Sequence, residues 1–86
     1  MPRLSEFYGI VVYMYWRDHA PPHSHAIYAG EEAQILISYG VILAGSLPRR
    51  GANLVTEWAR LHHDELVANW ERAQAPESLV PIEGLR

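Results

Sequence analysis

The hydrophobic pattern of this 86-residue chain changes its period once, near Pro48. Before Pro48, short runs rich in β-branched and aromatic residues alternate with turns that contain glycine or proline, a pattern typical of β-strands. After Pro48, apolar residues recur at three- and four-residue spacings, which predicts one amphipathic helix over about 48–74. We therefore expect an α+β domain in which one long helix covers one sheet. The stripe that would face the sheet consists of Leu54, Val55, Trp58, Leu61, His62, Leu66 and Trp70.

The first half of the chain predicts an antiparallel β-meander of three to four strands over about 8–44. Residues 8–16 form one continuous run with apolar side chains at both odd and even positions, which favours a central strand covered on both faces. Pro21 and Pro22 lack amide donors, so the chain must leave the sheet before them and re-enter it afterwards. The later strands are predicted over about 23–29, 33–38 and 41–44.

Composition and charge narrow the class of protein. With 49% hydrophobic residues, the chain is expected to form a single domain over 1–86, with residues 75–86 as a tail that could extend or cover the sheet. Cysteine is absent, which excludes disulfides and thiol chemistry, so a metal ion or a partner subunit would add stability to a small core. We expect a homodimer or a complex with another small protein.

The sequence contains no signal-peptide stretch and no run near the roughly 18 apolar residues that a membrane span needs. We therefore expect a cytoplasmic protein without a membrane partner. The net charge of −3 argues against the broad basic face with which proteins bind nucleic acid, so a nucleic-acid partner is possible but not favoured.

The most conspicuous chemical feature is the run Asp18-His19-Ala20-Pro21-Pro22-His23-Ser24-His25. Alternate residues of a strand share a face, so His23 and His25 should start about 6.6 Å apart on one side of the sheet and can converge on one ion. His19 comes from the other side of the two prolines, and Asp18 could be a ligand or could orient one. Three histidines with an open fourth position would describe a site for zinc, nickel or copper.

Two other interpretations of the run stay open. His23 and His25, assisted by His19, could act as a general acid and base without a metal. Alternatively, the histidines could hydrogen-bond to the loop backbone, with Asp18 capping the turn.

Two further histidines follow in the predicted helix. His62 lies on its apolar stripe and is expected to be a core or boundary histidine, whereas His63 should face solvent.

A second irregular feature is the pair Arg49-Arg50 at the predicted helix start. Cations in a first helical turn oppose the helix dipole, and a bound anion would compensate for them. Phosphate could bind to the helix amides and the two guanidinium groups, with Gly51 allowing close approach. The alternative is that both side chains extend into solvent or pair with Glu31 or Glu32.

Nearly the whole chain resembles a known family, the bacterial domain-of-unknown-function family 4160. The resemblance implies a short, stand-alone cytoplasmic protein, often encoded beside another small domain in an arrangement similar to toxin–antitoxin or small regulatory operons. It implies no catalytic residues. Ser24 departs from the usual pattern, in which an aromatic residue separates the last two histidines. The residues that carry the resemblance are Phe7-Tyr8-Gly9-Ile10, Met14, Asp18-His19-Ala20-Pro21-Pro22-His23-Ser24-His25-Ala26, Gly45-Ser46-Leu47-Pro48, Leu54-Val55-Thr56-Glu57-Trp58, His62 and Asn69-Trp70.

Two functions fit these observations. The first is a small interaction or regulatory module, homodimeric or paired with an operon-encoded partner, whose histidines are structural or bind a metal without turnover. The second is a toxin-like nuclease acting on RNA, with His23 and His25 as acid and base, His19 assisting, and Arg49 and Arg50 holding phosphate. The acidic balance and the absence of lysine argue against the second.

Overall fold

The computed structural model describes residues 2–86, and over this range the chain forms five strands and two helices. Each strand pairs antiparallel with its neighbours in the chain, in the order β1-β2-β3-β4-β5. The α+β class and the β-meander are confirmed, whereas the predicted three to four strands and single long helix are wrong in detail. The elements are β1 Arg3–Phe7, β2 Ile10–Tyr13, β3 His23–Tyr28, β4 Glu31–Leu36, β5 Val41–Gly45, α1 Arg49–Leu61 and α2 His63–Gln74.

The additional strand, β1, corrects the prediction of one strand over residues 8–16. Tyr8 and Gly9 have φ angles of 49° and 81°, so they form a two-residue turn between the paired residues Phe7 and Ile10. Positive φ at both central residues is the geometry that joins two strands of a hairpin tightly. The turn lies at the start of the apolar run over residues 8–16, so the hydrophobic pattern did not separate it from β2.

The predicted single helix is interrupted at His62, whose backbone (φ −107°, ψ 29°) is not helical. The apolar spacing continues across this residue, so periodicity alone could not reveal the interruption. The two helices meet different parts of the sheet. Gly51 of α1 contacts the ring of Tyr28, at the end of β3.

The second helix, α2, runs across the end of the sheet where β3 begins. The His63 ring donates through Nδ1 to the Ile37 carbonyl at 3.1 Å, the Trp70 ring lies 5.5 Å from that of His23, and the Arg17 amide donates to the Ala73 carbonyl. His63 is therefore partly buried and bonded, and the prediction that it faces solvent is wrong. None of the described helices has the length and apolarity that a membrane span requires.

The core lies on one face of the sheet, where the register aligns Val12, Ala26 and Ala33. Trp58 of α1 is fully buried in the same core and donates its indole N–H to the Glu83 carbonyl at 2.9 Å. Ser24 shares this face, so it points away from His23 and His25 as strand alternation predicts. Its buried hydroxyl has no hydrogen-bond partner among residues 2–86.

Residues 75–86 tie α2 to the edge strand β1. Asn69 both donates to the Val80 carbonyl and accepts from the Val80 amide, each at 2.8 Å. The Ile82 amide then donates to the Leu4 carbonyl at 2.8 Å, and the Ile82 side chain is buried. The tail thus lies along the outer edge of the sheet at β1.

Candidate metal centre

The loop between β2 and β3 folds Asp18 back toward the first residues of β3. The Pro22 carbonyl accepts from the Ile37 amide at 3.0 Å, and the Asp18 carbonyl accepts from the side-chain amide of Gln74 at 3.3 Å. Pro22 directly precedes His23, where β3 begins. The loop is therefore held by the residue after β4 on one side and by α2 on the other, which fixes the position of the carboxylate.

Asp18, His23 and His25 bring three potential ligand atoms together. Asp18 Oδ2 lies 2.9 Å from His23 Nε2 and 3.0 Å from His25 Nε2, and the three atoms all lie within 4.8 Å of one another. Ligands bound to one zinc ion at about 2.0–2.2 Å are separated by roughly 3 Å, so the observed spacing suits a shared ion. The convergence that strand alternation predicted for His23 and His25 is present.

His23 has a fixed ring orientation and an unsatisfied nitrogen. Its Nδ1 lies 2.7 Å from the Pro21 carbonyl oxygen, and because a carbonyl can only accept, Nδ1 carries the hydrogen. In the neutral ring, Nε2 then presents a lone pair to the Asp18 carboxylate. Although the N···O distance is short, this buried nitrogen makes no hydrogen bond. Leaving such an atom unpaired costs roughly 1–3 kcal/mol, which a cation between the two groups would remove.

His25 lies between two carboxylates. Its Nε2 is 3.0 Å from Asp18 Oδ2 and its Nδ1 is 3.3 Å from Glu32 Oε2. A neutral imidazole has one N–H and can donate to only one of them. A metal ion on Nε2 would leave Nδ1–H to donate to Glu32, which is the carboxylate–histidine–metal arrangement that commonly orients metal ligands.

Glu32 was not among the predicted site residues. The register pairs His25 with Gln34, so Glu32, two residues away on β4, is the diagonal neighbour of His25 on the same face. Identifying it from the sequence would have required the exact pairing of β3 with β4.

Aromatic rings enclose the two histidines. Tyr15 meets His25 edge to face with ring centroids 4.3 Å apart, and Trp70 lies 5.5 Å from His23. Burial raises the pKa of Tyr15, and the nearby carboxylates of Glu32 and Asp18 raise it further. His23 is fully buried and His25 is 6% exposed. The site is therefore largely shielded from water, which strengthens electrostatic attraction to a cation.

The Asp18 carboxylate is held in its charged form. Burial alone would raise its pKa, but the hydrogen bond with His25, the hydrogen bond from the His19 amide, and the electrostatic interactions with the His23 and His25 rings together hold the pKa below its usual value. A carboxylate that is ionised at neutral pH is ready to bind a metal ion.

His19, the fourth predicted ligand, lies beside these three atoms. Its side chain is 78% exposed, its Nδ1 is 2.9 Å from Asp18 Oδ1, and its ring centroid is 5.5 Å from that of His23. The group of donor atoms within 4.8 Å contains Asp18, His23 and His25 but not His19. The structure thus brings together three of the four candidate ligands.

Arg49 and Arg50 are exposed at the start of α1, and neither forms an ion pair within residues 2–86. Glu32, one of the predicted partners, instead contacts His25. Gly51 is buried against the ring of Tyr28, and a Cβ at this position would clash with Tyr28 Cδ2, so the missing side chain makes room for that ring.

Residues 9–71 match the family described as Domain of unknown function (DUF4160), and the chain therefore belongs to that family. The matched part contains the whole histidine run, strands β2 to β5, α1 and most of α2. Neither the search of curated proteins nor the search of solved structures gave a match.

Proposed function

We propose that this domain is a small metal-binding module that holds one divalent transition-metal ion between Asp18, His23 and His25. The observation that carries the proposal is the His23 Nε2 atom, which is buried, makes no hydrogen bond and faces a carboxylate at 2.9 Å. Its ring cannot turn without losing the bond from Nδ1 to the Pro21 carbonyl. A cation bound to Nε2 and to Asp18 satisfies both groups at once.

The donor set favours zinc, nickel or copper. Two imidazole nitrogens and one carboxylate oxygen suit these ions, whereas magnesium and calcium prefer all-oxygen sites. The second ring nitrogen of each histidine already faces an acceptor, the Pro21 carbonyl for His23 and the Glu32 carboxylate for His25. Such acceptors select the tautomer that ligates through Nε2.

We propose a regulatory or interaction role without turnover, in a homodimer or in a complex with a small protein encoded nearby, as in toxin–antitoxin pairs. Two features support this role. Metal binding adds stability to a small fold that has no disulfide. Exposed apolar side chains, among them Tyr39, Leu61 and Trp16, offer contact area for a partner.

The alternative, an RNA-cleaving enzyme, requires arginines that hold phosphate beside the histidines. Gly51, next to the arginine pair, contacts Tyr28 at the end of β3 opposite His23. Five residues of strand separate those two positions by roughly 16 Å. This separation favours the binding module.

Metal analysis of tag-free protein tests the proposal. We expect wild-type protein, purified without chelator and then offered zinc, to hold one ion per chain after desalting. His23→Ala combined with His25→Ala should hold none. The matched control is His62→Ala combined with His63→Ala, which removes two histidines outside the cluster and should retain the ion. Wild-type protein that takes up no zinc, or equal uptake by both double variants, would overturn the proposal.

A further inference from the structure

Resting on the metal site proposed above, we infer that His19 is the fourth ligand of the ion and its one exchangeable ligand. His19 binds through Nδ1 and closes the site. When it turns away, the vacated position accepts a small nitrogen donor of the imidazole class from solution.

The spacing of the rings supports this role. The centroid of an imidazole lies about 3 Å from a zinc ion bound to its nitrogen, so two rings on one tetrahedral ion have centroids roughly 5 Å apart. The observed centroid distances are 4.9 Å for His23 with His25 and 5.5 Å for His19 with His23. The His19 ring is therefore spaced from His23 almost as a fellow ligand would be.

The exposure of the four side chains separates fixed ligands from the exchangeable one. The side chain of His19 is 78% exposed, compared with 13% for Asp18, 8% for His25 and 0% for His23. His19 is held by one side-chain contact, from Nδ1 to Asp18 Oδ1 at 2.9 Å. Moving Nδ1 from the carboxylate to an ion bound by the same carboxylate requires the rotation of an exposed side chain, whereas moving His23 would break up the core of the site.

Closure by His19 also has a functional consequence. With four protein ligands the ion has no open position, as in structural rather than catalytic zinc sites. A donor that competes with His19 would release the exposed His19 side chain from the ion, while Asp18 keeps the loop in place. Occupancy of this one coordination position would therefore change the surface that a partner contacts.

Cobalt(II), whose visible absorption reports the geometry and number of its ligands, provides the test. Wild-type protein should give the intense spectrum of a four-coordinate site. Millimolar imidazole should leave this spectrum unchanged, because the tethered His19 competes for the position at a similar or higher effective concentration. His19→Ala should bind cobalt at least roughly tenfold more weakly, with an altered spectrum. Imidazole should then restore the wild-type spectrum in His19→Ala, because it supplies the missing donor. His62→Ala is the matched control and should behave as wild type.

The outcomes distinguish this inference from the metal site itself. If wild-type protein binds no cobalt and no zinc, the proposed function fails. If wild-type protein and His19→Ala bind cobalt with the same affinity and spectrum, or if imidazole changes both spectra equally, His19 is not a ligand although the metal site stands. Because His19 is exposed, His19→Ala should fold, and thermal unfolding of the metal-free proteins checks that it does.

Discussion

The histidine run contains two prolines just before β3, and the arginine pair follows a proline at the start of α1. The side chains of the two regions nevertheless have opposite environments. Asp18, His23 and His25 are drawn together, and the ring nitrogens of the two histidines face defined partners. Arg49 and Arg50 extend from the first turn of α1 without an ion pair in the described part of the chain. Burial and fixed orientation, rather than the number of polar residues in a run, therefore distinguish a prepared site from a solvated surface.

The largest expected effect separates the two regions directly. Asp18→Asn replaces a charged oxygen ligand with a neutral amide and should weaken zinc binding by more than about 100-fold, beyond the range for residues that only orient ligands. Arg49→Ala combined with Arg50→Ala should leave zinc affinity unchanged. Competition with a chromophoric chelator measures both. An equal loss of zinc affinity in the arginine variant would show that the two regions do not differ in their contribution to metal binding.

A smaller loss is expected at Glu32, which touches His25 but not the ion. Glu32→Gln should lower zinc affinity by roughly 10–100-fold, because Nδ1 of His25 would lose its charged acceptor. Glu31→Gln, the same change one residue earlier on β4, is the control and should have no effect. If both variants bind zinc like wild type, Glu32 does not orient His25.

The arginine region should respond through packing rather than through ligand binding. Gly51→Ala places a Cβ against the Tyr28 ring and should destabilise the fold by about 1–3 kcal/mol. An alanine in an unobstructed helix position would instead stabilise by up to about 1 kcal/mol, so the sign of the effect is informative. Removing both arginines should change stability by less than about 0.5 kcal/mol. Urea unfolding measures all three values, and a stabilising Gly51→Ala would show that Tyr28 does not occupy the space.

The smallest effect concerns pH in the metal-free protein. The pKa of Asp18 is lowered in the fold, so its carboxylate stabilises the native state above the ordinary carboxyl pKa of about 3.9 and loses that contribution as the pH falls through the lowered value. The difference in unfolding free energy between wild type and Asp18→Asn should therefore shrink as the pH falls from about 5 to about 3. A difference that is constant over this range would show that Asp18 gains nothing from its neighbours.

The parts of the fold that the sequence predicted are those that depend on local periodicity. The alternation of side chains along a strand predicted that His23 and His25 share one face and that Ser24 points to the other. The three- and four-residue spacing of apolar side chains in the helix predicted that Trp58 is buried. The turn at Tyr8 lies at the start of the apolar run that contains β2, and the helical spacing of apolar residues continues past His62 into α2. Neither feature was therefore visible in the hydrophobic pattern.

The site was predictable only as far as it is local. Strand geometry sufficed to predict that His23 and His25 share a face, whereas Asp18, in the preceding loop, could be named only as a neighbour in the sequence. Glu32 depends on the register between β3 and β4, and Trp70 depends on how α2 crosses the end of the sheet. The positions of both side chains depend on packing between distant parts of the chain, so the sequence near the histidines does not reveal them.

The location of a bound ion tests the central claim most directly. Crystals of the zinc-loaded protein, measured on both sides of the zinc absorption edge, should show one anomalous peak per chain within about 2.0–2.2 Å of Asp18 Oδ2, His23 Nε2 and His25 Nε2. A peak elsewhere, for example between His62 and Glu65, or no peak in crystals of protein that has been given zinc, would contradict the assignment of these three residues as a metal site.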